Sequence, residues 1–380
     1  MIRDPLPLDD ETAELLRRYG FDGDTFALLC ERLKRGEAGD ERNRIDGVVE
    51  PPREGDVVTL PPRGSAERAR LDELGRGHLA RGAVGVVVLA GGMATRFGGV
   101  VKAGVEALDG RSFLELKVAD VRRLAERMNA RIPIYLMTSF ATDAEVGRLA
   151  AALTSEAAPV RCFPQLVSLR LTPEGELFRD ARDALSPYAP GHGDLPLALA
   201  RAGILESFRA AGGELLAMSN VDNLGATLDP AVIGFHVESG AAVTAEVVDK
   251  EPGDKGGAPA RVDGALQIVE AFRFPAGFDQ DTIGVFNTNT FVLSAAALGT
   301  GEDFPFTWFA VRKEVDAKPA VQFERLVGQL TAFLPSAFLR VARSGDDGRF
   351  QPAKDPAELE ARRPAIRALL RARGVIGSER

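Results

Sequence analysis

The segment Val84-Gly-Val-Val-Val-Leu-Ala-Gly-Gly-Met-Ala-Thr-Arg-Phe-Gly-Gly-Val-Val-Lys102 sets the architecture. Its first seven residues form a continuous apolar run of strand length, as expected for a β-strand that is buried on both faces. A glycine pair and two cations follow in one loop. The spacing is neither G-x-G-x-x-G nor G-x-x-x-x-G-K-[ST], so the two commonest nucleotide-binding fingerprints are excluded. An NAD-dependent oxidoreductase is disfavoured on the same ground.

Outward from this segment, strand and helix patterns alternate. Ser112-Phe-Leu-Glu115 is a capping box that predicts a helix running to about Ala130. Further strands are predicted at 134–138, 215–219, 243–248 and 285–293, with a helical pattern over 196–211. Alternating elements predict an α/β fold with a mostly parallel sheet covered by helices on both faces. In such folds, ligands bind beyond the carboxyl ends of the strands.

Three regions are predicted along the chain. Residues 1–80 form an N-terminal helical extension, with helices near 11–19 and 25–34 and a loop over 49–64. Residues 81–320 form the core. Residues 321–380 form a C-terminal segment that completes the site, with a helix from about Val321, a short strand at 338–341 and a last helix ending near Arg373.

Composition excludes several classes of protein. The chain has 380 residues, 45% hydrophobic and 27% charged, which is typical of globular proteins. Its net charge is −8 and no basic patch is evident in the sequence, which argues against nucleic acid as the main partner. Its longest apolar stretch is too short to cross a membrane. Two cysteines and no secretion-signal pattern in the opening residues lead us to expect a cytoplasmic protein.

Lysine is scarce in this arginine-rich sequence. The eight lysines are Lys34, Lys102, Lys117, Lys250, Lys255, Lys313, Lys318 and Lys354. A lysine retained against such a bias is a candidate for a role that needs a compact, flexible point charge. Chance retention is the alternative for each of them.

Several polar residues follow the predicted strands. Arg96 and Lys102 would supply charge for a triphosphate, although they could also be solvated residues in an ordinary turn. Asp222 is a hard oxygen ligand suited to Mg²⁺, with an Asx turn or helix cap as the alternative. His192 and Gln165 could be structural or surface residues. The paired asparagines Asn287 and Asn289 are poor strand formers, which favours a polar ligand beside them.

The sequence from Val88 to Lys102 closely resembles the nucleotide-binding signature of UDP-sugar pyrophosphorylases. That family includes eukaryotic-type UTP–glucose-1-phosphate uridylyltransferases and UDP-N-acetylhexosamine pyrophosphorylases. Two residues depart from its pattern: Ala94 replaces a glycine and Val101 replaces the proline before Lys102. The resemblance continues in order to about residue 359, through the motifs F-P-Q at 163–165, P-G-H-G-D at 190–194, N-V-D-N at 220–223, K-G-G at 255–257, F-N-T-N at 286–289, K-E-V-D at 313–316 and R-F-Q-P-A-K at 349–354.

The resemblance implies a Rossmann-like core of the nucleotidyltransferase (glycosyltransferase-A-like) type and the reaction of UTP with glucose 1-phosphate to UDP-glucose and pyrophosphate. It implies catalytic roles for Arg96, Lys102, Lys313 and Lys354, and Mg²⁺ bound by Asp222. Uridine would contact Gly91, Gly92, Gln165 and Gly191, while the sugar would face His192, Asn220, Gly257, Glu270, Asn287 and Asn289.

Alternatives stay open within and beyond this class. A UDP-N-acetylhexosamine or broad UDP-sugar pyrophosphorylase would share the motifs, and so would a non-catalytic sugar-nucleotide-binding protein. The histidine of Gly191-His192-Gly193 resembles the glucose enzymes, whereas N-acetylhexosamine enzymes carry asparagine there, so we expect glucose 1-phosphate to be preferred. The chain ends 26 residues after Lys354, without room for the family's C-terminal β-helical domain, and we expect a monomer.

Overall fold

A mixed, mostly parallel sheet forms the centre of the molecule. The computed structural model describes residues 8–254, 256–301 and 304–377. The expectations that involve Lys255 and the first seven residues lie outside this part of the chain. We label the central strands β1 (Val57–Thr59), β2 (Val84–Leu89), β3 (Ile134–Thr138), β4 (Val160–Pro164), β5 (Leu215–Asn220), β6 (Val243–Asp249), β7 (Val285–Ser294) and β8 (Ser336–Arg340).

The strand order is β1-β8-β6-β7-β5-β2-β3-β4. All neighbouring pairs are parallel except those of β7, which runs antiparallel to both β5 and β6. This confirms the predicted α/β fold. Because β7 runs in the opposite direction, its first residues lie at the sheet edge where the parallel strands end.

Helices cover both faces of the sheet. They are α1 (Asp10–Arg18), α2 (Gly23–Lys34), α3 (Ala66–Ala80), α4 (Phe113–Met128), α5 (Asp143–Leu153), α6 (Leu195–Arg201), α7 (Ile204–Ala210), α8 (Pro230–Ser239), α9 (Leu330–Phe333) and α10 (Pro356–Ala372). Side chains of β2 alternate between two cores. Val86 and Val88 pack with α3, α4, α5, α8 and α10, whereas Val87 packs with α6, α7 and α9.

Local sequence explains where α4 begins and how α3 meets α8. The Ser112 side chain accepts a hydrogen bond from the Glu115 amide, and Glu115 accepts one from the Ser112 amide, so the predicted capping box is formed. Gly75 of α3 and Gly234 of α8 allow close backbone contact. A Cβ at Gly75 would collide with the carbonyl oxygen of Pro230 at the start of α8, and a Cβ at Gly234 would collide with the carbonyl oxygen of Leu71 in α3.

Short strands build the rest of the chain. Val49–Glu50, Ala258–Val262 and Ala265–Val269 form a three-stranded sheet, and Phe309–Val315 pairs with Lys318–Glu324 in a hairpin. The two-stranded pairs are Met93–Ala94 with Val100–Val101, Glu106–Leu108 with Arg111–Ser112, and Ser168–Leu169 with Pro187–Tyr188. Helices α1 and α2 pack on the long hairpin through a core of their own. No helix in the described ranges is long and apolar enough to span a membrane.

Three local predictions differ from the structure. The helix expected over 196–211 is divided, because Gly203 has a φ of +63° that ends α6 and begins α7. The helix expected from about Val321 is instead a strand, since Val321 and Phe323 pack in the hairpin against α1 and α2. The stretch expected to be a loop contains β1, which pairs with β8 at the edge of the central sheet.

Candidate functional site

The candidate site is a cleft of about 540 Å³ beside the carboxyl ends of β2, β3 and β5. Most of the residues predicted from sequence meet there. The cleft is lined by Gly91, Gly92, Lys102, Gln165, Gly191, His192, Asn220, Asp222, Asn287, Asn289 and Lys354. Parallel strands end at one edge of a sheet, which brings these separated motifs together.

The antiparallel strand β7 contributes its polar residues through a β-bulge. The register with β6 shifts between Glu246 and Val247, and Asn289 adopts a φ of +56°. A bulge of this kind redirects a side chain. Here Asn289 Nδ2 donates to Asn220 Oδ1 at 3.0 Å, so the end of β5 and the start of β7 are joined at the cleft.

The glycine-rich loop after β2 folds back as a small hairpin. Met93–Ala94 pairs with Val100–Val101, and the Lys102 amide donates to the Gly92 carbonyl at 3.2 Å. A Cβ at Gly91 would collide with the side-chain amide of Gln165. Glycine is therefore required at position 91 for Gln165 to approach the loop.

Gln165 presents an unused hydrogen-bonding group at the cleft. The residue is buried, and its Oε1 atom has no hydrogen-bond partner among the described residues. Its backbone amide is held by the Thr138 carbonyl at 2.9 Å. An unpaired buried acceptor is costly, so a donor on a bound ligand is the simplest compensation.

Lys102 and Asp222 form an ion pair across the cleft, with Nζ and Oδ2 2.5 Å apart. Asp222 is largely buried, whereas Lys102 is partly exposed. Within the described residues, no group of three or more His, Cys, Asp or Glu side chains is placed to hold a metal ion. A cation at this place would therefore take a single carboxylate from the protein and further oxygens from water or a ligand, a donor set that fits Mg²⁺.

The loop that carries His192 is fixed by its neighbours. A Cβ at Gly191 or Gly193 would collide with the backbone of Arg325. Asp194, fully buried, pairs with the Arg325 guanidinium and accepts a hydrogen bond from the Leu166 amide at 3.1 Å. The loop is thus tied to the segment that carries Gln165.

His192 itself is a neutral hydrogen-bonding residue. Its Nδ1 accepts from the Val327 amide at 3.0 Å, which leaves the ring proton on Nε2. Burial lowers the pKa of His192 to about 4, against a small opposing effect of Glu324. At neutral pH the imidazole therefore contributes a donor to the cleft and no charge.

Four predicted residues lie outside the cleft lining. Arg96 is exposed in the turn of the glycine-rich hairpin, and Lys313 is exposed on the long hairpin, 3.4 Å from Glu324. Gly257 lies behind the cleft, where its carbonyl accepts from the Asn287 amide at 2.7 Å. Glu270 lies against Gly257, and burial raises its pKa to about 6.

A layer of buried charges lies behind the cleft; sequence reasoning did not assign it a role. Arg349 donates to both carboxylate oxygens of Glu246, each at 2.6 Å, and both residues are almost fully buried. Asp229 lies 4.0 Å from Arg349 and 2.6 Å from Arg68. We call Arg68, Asp229, Glu246 and Arg349 the buried charge layer.

Asn223 and Lys117 connect this layer to the cleft. Asn223 donates to the Arg349 carbonyl at 3.1 Å and accepts from the Gln351 amide at 2.8 Å, so it joins the segment bearing Asp222 to the segment bearing Lys354. Lys117 is buried and donates to the Asn223 carbonyl at 2.5 Å. Burial lowers the pKa of Lys117 to about 7. The scarcity of lysine was the one signal that could have identified Lys117.

Comparison with known proteins agrees with this geometry. The model of the UTP–glucose-1-phosphate uridylyltransferase family matches residues 50–364. A UTP–glucose-1-phosphate uridylyltransferase of Saccharomyces cerevisiae is 32% identical over 225 residues, which are 56% of this chain and 45% of the yeast protein. One from Musa acuminata is 27% identical over 374 residues, covering 93% of this chain and 76% of the plant protein.

Solved structures show the same fold. A crystal structure of a UDP-glucose phosphorylase from Trypanosoma brucei superposes with a TM-score of 0.74 at 22% identity, covering 92% of this chain and 77% of the other. A uridine diphosphate N-acetylglucosamine pyrophosphorylase from the same organism gives 0.72 at 23% identity, covering 97% and 86%. The chain spans about half the length of several of the curated relatives it matches.

Proposed function

Because the chain belongs to the UTP–glucose-1-phosphate uridylyltransferase family, we propose that it transfers a uridylyl group from UTP to a sugar 1-phosphate and releases pyrophosphate. One observation carries the proposal. Two lysines, two carboxylates, several side-chain amides and an unpaired buried acceptor line one cleft at the carboxyl edge of the sheet. Cations suit the phosphates, and amides suit a base edge and sugar hydroxyls.

The chemical step requires positioning and charge neutralisation. An oxygen of the sugar phosphate attacks the α-phosphorus of UTP in line, and the bond from that phosphorus to the bridging oxygen of the β-phosphate breaks. The electron pair and negative charge leave with pyrophosphate. Lys102 and Lys354 line the cleft and would neutralise this charge. Roles for Arg96 and Lys313 remain predictions, since neither side chain lines the cleft.

Uracil recognition is assigned to Gln165 and the glycine pair. The unpaired Oε1 would accept from the imide N–H of uracil, and the adjacent amide nitrogen would donate to a uracil carbonyl. Gly91 and Gly92 would let the base lie close to the backbone.

Mg²⁺ is the proposed cofactor, with Asp222 as its protein ligand. Bound there, it would supply positive charge to the triphosphate oxygens. Asp222 is paired with Lys102, so the proposed metal ligand and a lysine amine lie side by side, where both would serve the same triphosphate.

The sugar is assigned to the asparagines at the ends of β5 and β7 and to His192, with glucose 1-phosphate preferred. Asn220 and Asn289 are joined by a hydrogen bond, and the Asn287 side chain holds the Asn289 amide at 3.1 Å. His192 adds a neutral Nε2 donor in a fixed orientation, because Nδ1 is occupied by Val327. An imidazole and a carboxamide differ in bulk and donor placement, which is the basis for discriminating a hydroxyl from an acetamido group.

The activity is tested by supplying UTP, glucose 1-phosphate and Mg²⁺ and measuring pyrophosphate release. We expect release with all three components and little when EDTA is present. Full activity in EDTA would contradict the metal assignment. Binding of UDP-glucose without any turnover would instead favour a non-catalytic sugar-nucleotide-binding protein.

The sugar assignment is tested by comparing kcat/KM for glucose 1-phosphate and N-acetylglucosamine 1-phosphate in the wild type and in His192→Asn. A mismatched buried polar contact costs roughly 1–3 kcal/mol, or about ten- to a hundredfold in specificity. We expect the wild type to prefer glucose 1-phosphate and the variant to narrow the gap. A wild-type preference for the N-acetyl sugar would favour a UDP-N-acetylhexosamine pyrophosphorylase. Equal use of many sugar 1-phosphates would favour a broad UDP-sugar pyrophosphorylase.

A further inference from the structure

A second cavity, separate from the cleft, is lined by arginines. It has a volume of about 350 Å³ and lies between α3, the later turns of α4, the end of α10 and the loop before α8. Six arginines line it: Arg63, Arg68, Arg76, Arg127, Arg349 and Arg373. It shares no lining residue with the cleft. Its size is near the lower end of the range for small-molecule sites.

Some of these guanidinium groups are fully used within the protein. Arg349 is held by Glu246, and Arg373 donates to the carbonyls of Leu224 and Gly225 at 3.2 and 3.1 Å. Arg373 also lies 3.5 Å from Asp120. These contacts join α4, α10 and the loop after β5, and they account for the buried part of the wall.

Other donors are left without acceptors. Arg76 and Arg127 are exposed, and neither forms an ion pair or a hydrogen bond to a carboxylate among the described residues. Arg76 contacts the sulfur of Met128 at 3.5 Å. Arg68 is 5% exposed, and its buried Nε has no hydrogen-bond partner among the described residues although its terminal nitrogens are satisfied. Unpaired buried donors are rare and call for an explanation.

The charge of the cavity wall is positive in a chain that is negative overall. Its carboxylates are Asp72, Asp120, Asp229 and Asp347, fewer than its arginines. Asp229 and Asp347 are paired with Arg68 and Arg63, respectively. Asp72 is the carboxylate of this wall that lacks an ion pair within the described part of the chain, so two unpaired arginines, Arg76 and Arg127, stand against one unpaired carboxylate. An added anion would restore the balance.

We propose that this cavity is a second binding site, which takes a small phosphate-bearing anion held by Arg76 and Arg127 beside Arg63 and Arg68. Guanidinium groups present paired N–H donors that match phosphate oxygens, and arginine is favoured over lysine for such contacts. The site is distinct from the proposed uridylyl-transfer site, where lysines provide the cations.

Calorimetric titration with orthophosphate tests the proposal in four proteins. They are the wild type, Arg76→Ala/Arg127→Ala, Lys102→Ala/Lys354→Ala as the cleft variant, and Arg148→Ala as a matched control. Arg148 is an exposed helical arginine of α5 that lines neither cavity. Each lost charged hydrogen bond is expected to weaken binding by about tenfold. Pyrophosphate and glucose 1-phosphate, titrated in the same way, show which phosphate source the cavity prefers.

We expect the arginine variant to lose one class of orthophosphate sites while the cleft variant keeps it, with the control matching the wild type. Orthophosphate binding that changes only in the cleft variant would overturn the proposal. Binding that changes only in the arginine variant would support it and count instead against the lysines of the cleft. Circular dichroism verifies that each variant is folded. The milder variant Arg127→Gln, which removes a single exposed charge, must weaken orthophosphate binding at the same class of sites by a smaller factor.

Discussion

The cleft and the buried charge layer lie on either side of the segment 220–225. The polar groups of the layer are paired with one another, whereas several of those in the cleft remain available to a ligand. In the layer, Arg349 and Glu246 satisfy each other through two hydrogen bonds with almost no exposure. Burial disfavours the charge of Arg349, but Glu246 and Asp229 outweigh it, so the pKa of Arg349 is raised. In the cleft, Gln165 leaves an acceptor unused and the Lys102–Asp222 pair is partly open to solvent.

This difference separates two uses of polar residues. The charges of the layer are already paired with one another, so removing one leaves its partner buried and unsatisfied. Groups in the cleft keep their capacity for a ligand, so removing one should affect binding and turnover more than folding. Mutations on the two sides can therefore confirm or contradict the distinction.

Arg349→Ala is expected to have the largest effect on stability. It leaves Glu246 charged and almost fully buried, and breaking such a pair costs about 3–5 kcal/mol of unfolding free energy. Urea unfolding measures the change. Arg17→Ala, which removes an exposed helical pair with Glu14, is the control and should leave the unfolding curve unchanged. Equal curves for both variants would show that the layer contributes nothing to stability.

Lys102→Ala should mainly lower turnover. Loss of a preorganised charge at the departing pyrophosphate is worth on the order of 10²–10³ in kcat, with a smaller change in UTP binding. Single-turnover pyrophosphate release measures it. Lys34→Ala is the matched control. Lys34 is an exposed lysine that pairs with Glu176, and it belongs to none of the cleft motifs. A Lys102 variant with nearly full turnover would place this residue outside the machinery.

His192 is intermediate between the two cases, because it is partly buried and also lines the cleft. Its folded pKa is about 4, below the usual 6.5, so between these pH values the unfolded chain binds a proton that the native state does not. Its contribution is therefore present above pH 6.5 and lost as the pH falls towards 4, by at most roughly 3 kcal/mol. His236 acts in the same direction, and Glu270 in the opposite one.

Urea unfolding of the wild type and His192→Asn at pH 7 and pH 4.5 tests this contribution of His192. The pH-dependent contributions of all other residues, including His236 and Glu270, are common to both proteins and cancel in the comparison. The variant should lose less stability on acidification. An identical loss in both proteins would mean that His192 is protonated as readily in the native state as in the unfolded chain.

Gln165→Leu should have the smallest effect on the unfolding free energy, and it should separate the loss of function from the loss of stability most clearly. No hydrogen bond of its side chain is lost within the described residues, so the unfolding free energy should barely change. The kcat/KM for UTP should fall by about ten- to a hundredfold, since a contact of roughly 1–3 kcal/mol to uracil is lost. Loss of stability without loss of UTP selectivity would reverse this assignment.

Sequence was sufficient where the signal is local or periodic. The apolar run at 84–90 predicted a strand buried on both faces, and the Ser112 capping box predicted where α4 begins. The motifs at 91–102, 163–165, 190–194, 220–223 and 286–289 each follow or begin a strand, and the cleft contains residues of all of them. Pattern alone did not reveal the division at Gly203, where a positive φ separates two helices. It also missed the strand at Val321, because tertiary packing overrides weak local preference.

The amino-acid sequence by itself determined the fold class, the family resemblance and the set of polar motifs, because periodicity and spacing are properties of the chain. Only the tertiary structure decided which of those residues share one cleft. It placed Gly257 and Glu270 behind Asn287, and left Arg96 and Lys313 outside the lining. It also paired Arg349 with Glu246, 103 residues apart. Such contacts depend on strand order and direction, above all on the antiparallel β7, which no local pattern encodes.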